Sequence, residues 1–188
     1  MRIAILGAGN MGCALATVLA ANRNDVTLWS IEPDVVAEIM AHHRTTKYLP
    51  DVLLDADRIH ASGDLAATCT GADGIVIAVP STVTVRVARN AQPFVPKRVP
   101  VLSIAKGIDP ERFRPLPTSI ATALGRTHDG VAGLAGPAVA TEFAAGTPTS
   151  VVVAGKPRMA VFWQRVFERP NFHVVSSRDL VGVSWAAC

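Results

Sequence analysis

The stretch RIAILGAGNMGCALATVLAA, residues 2–21, decides how this chain is read. Ile3 to Leu6 is a short apolar run, the pattern of a strand buried on both faces. Gly7-Ala8-Gly9-Asn10-Met11-Gly12 follows, and small and apolar residues from about Asn10 to Ala21 read as a helix. GxGxxG alone is a weak pattern, but between a strand and a helix it has a mechanism. Gly7 allows a tight turn, Gly9 leaves the backbone open to close approach, and Gly12 lets the helix pack against the strand. The helix N-terminus adds unpaired N–H groups and partial positive charge, which suit a pyrophosphate. The stretch therefore predicts a dinucleotide site; the alternative is an Ala/Gly-rich turn with no ligand. Its early Arg2 and apolar run also outline a secretory leader, but the glycines break that run at a spacing the turn explains.

Outward from this unit the chain alternates. Val26–Trp29, Ile59–Ala61, Gly74–Val79, Val99–Ala105, Val131–Ala135, Ser150–Ala154 and Phe172–Val175 read as strands. Helices are expected from Pro33, where a missing N–H costs nothing in the first turn, and over Asp64–Thr68, Thr82–Ala91, Leu116–Leu124, Ala138–Ala145 and Arg158–Glu168. Residues 44–58 read as a loop. Strands too apolar to face water, joined by helices, predict a single α/β domain. Its sheet is doubly wound, mostly parallel and Rossmann-type.

Composition agrees. Of 188 residues, 49% are apolar, 5% aromatic and 18% charged, with a net charge of +3; so much apolar surface excludes a disordered chain. The low aromatic share predicts a core of Ala, Val, Leu and Ile. Basic residues form no run of the kind seen in nucleic-acid tails, and no segment has the ~20 apolar residues that span a bilayer. Cys13, Cys69 and Cys188 are widely spaced, without a zinc or disulfide pattern. Cys13 and Cys69 are expected as core residues, and reduced thiols predict a cytoplasmic protein. The five histidines show no metal-ligand spacing.

Ligands of such sheets sit beyond the carboxyl ends of the strands. After Trp29 stand Ser30, Ile31 and Glu32. The position just past the strand is Ser, not Asp, and no Arg is there to favour a 2′-phosphate, so the choice between NAD and NADP stays open. Glu32 is either a ribose ligand or a solvated charge. Lys106, before Gly107, points to the reactive end of the cleft, where an ammonium would hold a phosphate or substrate hydroxyl; the alternative is an ordinary loop lysine. The Gly136-Pro137 turn before a helix is a second candidate anion site.

GAGNMG (7–12), VTLW (26–29), KYLP (47–50), AVPS (78–81), KGI (106–108), GPAVATE (136–142), TPT (147–149) and NFHV (171–174) occur in this order. The succession resembles the N-terminal half of NAD(P)-dependent glycerol-3-phosphate dehydrogenase, from Met1 to about Val183. That family reduces dihydroxyacetone phosphate to glycerol 3-phosphate. The resemblance implies that Gly7, Gly9, Asn10, Met11 and Gly12 contact the cofactor pyrophosphate. It puts Ile31 on the adenosine side and Ala140 and Lys106 near the cofactor. Lys106 also contacts substrate, beside Gly136 and Ala138. In the family, the stretch after VGV continues with Glu and then GALKN, whose lysine gives the proton. Here Gly182-Val183 is followed by Ser184-Trp185-Ala186-Ala187-Cys188, and no lysine follows Lys156.

The expectation is therefore a nicotinamide-dinucleotide domain over residues 1–179 that takes NAD or NADP. Residues 180–188 read as the start of a linker to a helical domain. Catalysis by this stretch alone is expected to be poor or absent. The expected partner is a small phosphorylated triose, with no nucleic acid and no membrane span; a homo-oligomer, or a chain supplying a helical domain, is left open. The alternatives are a non-catalytic cofactor-binding module or partner subunit, and a related dehydrogenase with another substrate.

Overall fold

The computed structural model describes residues 1–128 and 130–186, so Cys188 lies outside the described residues. The order is β1 (Arg2–Leu6), α1 (Asn10–Ala21), β2 (Asp25–Trp29), α2 (Pro33–His42), β3 (Ile59–Ser62), α3 (Leu65–Cys69), β4 (Gly74–Ile77), α4 (Ser81–Ala91) and β5 (Val101–Ser103). Then come β6 (Ile108–Asp109), β7 (Arg114–Pro115), α5 (Leu116–Ala123), β8 (Ala132–Ala135), α6 (Ala140–Ala144), β9 (Thr149–Ala154), α7 (Pro157–Phe167), β10 (Phe172–Ser177) and α8 (Leu180–Trp185).

Eight strands form one sheet in the order β3-β2-β1-β4-β5-β8-β9-β10. β1 lies between β2 and β4, with Leu6 opposite Trp29 on one side and Ile77 on the other. Connections leave β1 in both directions, so the order reverses between β1 and β4; a crevice opens at such a point. Successive β1 side chains serve opposite layers, as the strand period requires. Ile3 and Ile5 join a core with α1, α6 and α7, and Ala4 and Leu6 join a core with α4 and α5.

The sheet is mostly parallel, as expected, and three details lay outside the sequence reading. β9 pairs antiparallel with β8, and β10 follows β9. α6 has only five residues, about 7 Å at 1.5 Å per residue. It is too short to carry the chain back along the sheet, so β9 starts from the end where β8 stopped. Second, β6 and β7 pair antiparallel apart from the main sheet, where no strand was expected. Third, the few aromatics gather under β10: Phe143 and Phe172 meet edge-on with centroids 5.2 Å apart, and Trp163 and Phe167 lie at 5.8 Å. One end of the core is thus aromatic rather than purely aliphatic.

Local signals set the element ends. Pro33 opens α2, and His43 closes it in the left-handed region at φ 51°. Asp64 caps α3 by accepting from the amides of Ala66 and Ala67 at 2.8 and 3.0 Å. Residues 180–185, read above as the start of a linker, form α8, with Asp179 accepting from the Gly182 amide at 2.8 Å. Cys13 and Cys69 are buried free thiols; burial pushes them up to about 12 and about 11. Among the described residues no helix is long and apolar enough to cross a membrane.

Candidate functional site

The turn after β1 is held by its neighbours' backbones. The Gly7 amide donates to the Trp29 carbonyl at 2.9 Å, and the Ala78 amide donates to the Leu6 carbonyl at 2.8 Å. Gly7 has φ +123°, a region that favours glycine, and a Cβ there would lie 2.6 Å from the Ala78 carbonyl oxygen. A Cβ on Gly12 would lie 1.9 Å from the Gly7 carbonyl oxygen, so helix and turn touch backbone to backbone. Gly9 differs. Its φ of −78° and ψ of −174° suit any residue, and a Cβ there would meet nothing within 4 Å. The fold needs glycine at positions 7 and 12; at position 9 the missing side chain leaves open space beside the start of α1.

That helix start is polar and unpaired. Its first intrahelical amide bond in the chain is Cys13 N–H to the Gly9 carbonyl at 2.9 Å. The amides before it point outward without an intrahelical acceptor. Gly9 supplies no side-chain cap, and the first turn carries no acidic residue. Asn10 is exposed and Met11 half-buried. Anion-binding amides, a neutral rim and a cradle closed at Gly12 but open at Gly9 fit the phosphates of a dinucleotide.

At the end of β2, beside this turn, Ser30 is buried and its Oγ accepts from the Glu32 amide at 3.1 Å. Ile31 is 81% exposed. The Glu32 carboxylate is neither free nor merely solvated. Tyr48 Oη donates to it at 2.5 Å, and Lys47 Nζ donates to its other oxygen. The Lys47 ammonium first, and the Tyr48 hydroxyl second, hold the Glu32 carboxyl below the usual carboxylate range, and Glu32 in turn raises Lys47.

Lys106 follows β5 and is exposed, with no hydrogen bond or ion pair among the described residues. Ile104, two residues before it, donates from its amide to the Ile77 carbonyl at 3.2 Å. The ends of β4 and β5 therefore lie side by side next to the glycine turn. Gly136 closes β8 tightly: a Cβ there would sit 3.0 Å from the Ser150 carbonyl oxygen. Ala138 is half-buried and Ala140 buried. The helix expected from Ala138 begins only at Ala140 and runs five residues. The short helix offers only a single turn of backbone N–H groups behind the Gly136-Pro137 turn.

The β1, β2, β4, β5 and β8 ends thus carry every predicted site residue. A cavity of about 1080 Å³ lies at the opposite, amino end of the strands, among Val99, Pro100, Leu124, Arg126 and Phe162, and no predicted site residue lines it. Two features escaped the sequence reading. The Lys47–Glu32–Tyr48 cluster spans 16 positions, and its only trace was the KYLP segment. The other is Asp109 in β6, buried, accepting from Ser119 Oγ at 2.5 Å and from the Glu111 and Arg112 amides at 3.0 and 3.3 Å.

Comparison with known proteins decides the family. The family described as "NAD-dependent glycerol-3-phosphate dehydrogenase N-terminus" matches residues 2–161. The chain belongs to the NAD-dependent glycerol-3-phosphate dehydrogenase family. The chain is 36% identical to the glycerol-3-phosphate dehydrogenase [NAD(P)+] of Anaeromyxobacter sp., over 100% of this chain and 57% of that protein. It is 33% identical to the Myxococcus xanthus enzyme, over 98% and 56%. The crystal structure of glycerol-3-phosphate dehydrogenase from Coxiella burnetii superposes with a TM-score of 0.92 at 34% identity, covering 99% of this chain and 56% of that one. The chain spans a little over half the length of these relatives. A UDP-D-ManNAc dehydrogenase from Pyrococcus horikoshii shares the fold at 15% identity, with a TM-score of 0.76. NAD or NADP is the cofactor the family uses.

Proposed function

We propose that residues 1–179 bind a nicotinamide dinucleotide across the β1–β4 crevice and serve the reduction of dihydroxyacetone phosphate to glycerol 3-phosphate. The single observation that carries this is Gly9. It has ordinary backbone angles and open space around its Cβ position, so its lack of a side chain serves a ligand rather than the fold. In this reading Gly7, Gly9, Asn10, Met11 and Gly12 present amides to the pyrophosphate. Ile31 lies on the adenosine side and Ala140 lies near the cofactor. The reduced cofactor, when bound, supplies hydride.

Lys106 sits where a cation would meet both cofactor and substrate, and its ammonium has no competing partner among the described residues. It positions the triose phosphate by charge-assisted hydrogen bonds, beside the tight backbone of Gly136 and Ala138. Carbonyl reduction also needs a proton donor within hydrogen-bond reach of the carbonyl oxygen. The sequence has no lysine after Lys156, so residues 1–188 bind cofactor without efficient turnover. The second reading is a cofactor-binding module that performs no chemistry. Both are tested by titrating the purified chain with NADH and with NADPH and then following reduced-nicotinamide absorbance with dihydroxyacetone phosphate. The expected result is saturable binding with negligible turnover. Rapid turnover would refute the need for a further lysine and exclude the non-catalytic reading.

A further inference from the structure

The positive charge of the chain is unevenly placed. Six of its 18 Lys and Arg line the cavity of about 1080 Å³ at the amino end of the strands, and none of the described residues around it is acidic. Lys97, Arg98, Arg158 and Arg165 are exposed there and form no ion pair among the described residues. Arg126 ties the wall together: its Nη1 donates to the Val99 carbonyl at 2.7 Å and its Nη2 to the Pro96 carbonyl at 3.0 Å. Its guanidinium is half-buried, and burial pulls its pKa below the usual arginine value. No carboxylate among the described residues compensates that charge. Between the cations the wall is apolar, with Leu124 and Val166 buried and Met159 and Phe162 half-buried. Gathered like charges repel one another and work against the compact state, while an apolar wall concentrates their field on whatever enters. Folding gives no reason for this arrangement; an anion does.

We propose that this cavity is a second ligand site, for an organic polyphosphate of the nucleoside triphosphate class. Arg98, Arg158 and Arg165 hold the phosphates, since guanidinium forks match phosphate oxygens two at a time. The wall of Leu124, Met159 and Phe162 takes the flat base. Both parts are needed to fill the site. The cations outnumber what a single phosphate can engage, and the volume lies at the upper end of small-molecule sites, about 300–1,000 Å³. The site is separate from the glycine turn. The five residues of β1 stand between them, about 16 Å at 3.3 Å per residue.

Calorimetric titration of the purified chain with GTP, with NADH present in excess so that the glycine turn is occupied, tests this. GTP is expected to bind saturably. Inorganic tripolyphosphate, which has the charge but no base, is expected to bind at least about tenfold more weakly. Arg158→Gln combined with Arg165→Gln, both at exposed positions, is expected to weaken GTP at least about tenfold and to leave NADH affinity within about twofold. Arg44→Gln combined with Arg86→Gln removes the same charge from residues that do not line the cavity, and should leave GTP within about threefold. No GTP binding, or equal weakening by the two double variants, overturns the site. Tripolyphosphate binding as tightly as GTP overturns the ligand class. The variants locate GTP whether or not NADH binds, so a failure of the dinucleotide reading shows separately, as NADH giving no heat.

Discussion

Gly9 and Gly12 lie three positions apart and are glycine for different reasons. At Gly12 any Cβ strikes the Gly7 carbonyl oxygen at 1.9 Å, and backbone cannot swing aside as a side chain can. Gly12→Ala is therefore expected to cost about 3 kcal/mol of stability or more, read as a lower urea midpoint, and to lose nucleotide binding with it. Lys106 gives the opposite expectation. Lys106→Ala leaves stability within about 0.5 kcal/mol, as for other surface sites. It leaves NADH affinity within a few-fold and weakens triose phosphate binding to the NADH-loaded protein by about tenfold to a hundredfold. Calorimetry with each ligand separates the two, and equal losses for both would make Lys106 a cofactor contact alone. The glycine spacing was legible because three glycines between a strand and a helix have few other uses. The Glu32–Lys47–Tyr48 contact was not, since nothing in a sequence shows that residues 32 and 47 meet in space.

At the scale of elements, the hairpin β6–β7 escaped the reading because two-residue strands carry no periodicity. What holds it is Asp109. Burial pushes its carboxyl up, but the Ser119 hydroxyl, the amides of Glu111 and Arg112 and the Arg112 charge outweigh burial and hold it below the usual range. A carboxyl lowered by folding contributes stability that is complete above the unfolded value, near pH 4, and is lost as pH falls through the lower folded value. Ser119→Ala removes one donor. Its cost should be about 1.5–3 kcal/mol at pH 7 and should shrink as pH drops below about 4. Urea midpoints of both proteins across that range check this; a gap independent of pH would mean that the hydroxyl acts through packing. Helices were easier to read than strand direction. The apolar run at β9 looks the same in either orientation, and only the shortness of α6 explains why it runs antiparallel to β8.

On the scale of the molecule, alternation of apolar strands with helices made the doubly wound sheet readable, because each layer must bury a face against the next. Ligand linkage follows from the same architecture. A nucleotide that binds only the folded chain adds about 2.7 kcal/mol at a hundredfold excess over Kd, which raises Tm by about 5–10 °C for a domain of this size. Differential scanning calorimetry with NADH checks this rise, and an unchanged Tm would count against folded-state binding. The most direct test of the dinucleotide site compares the chain with its Gly9→Ala variant by calorimetric titration with NADH. Position 9 has room for the methyl and ordinary backbone angles. The variant should therefore fold with nearly unchanged stability, yet bind NADH at least about tenfold more weakly than the unaltered chain, a loss of about 1.4 kcal/mol. Equal affinity in the two proteins, or no heat from either, would contradict a pyrophosphate seated on this turn.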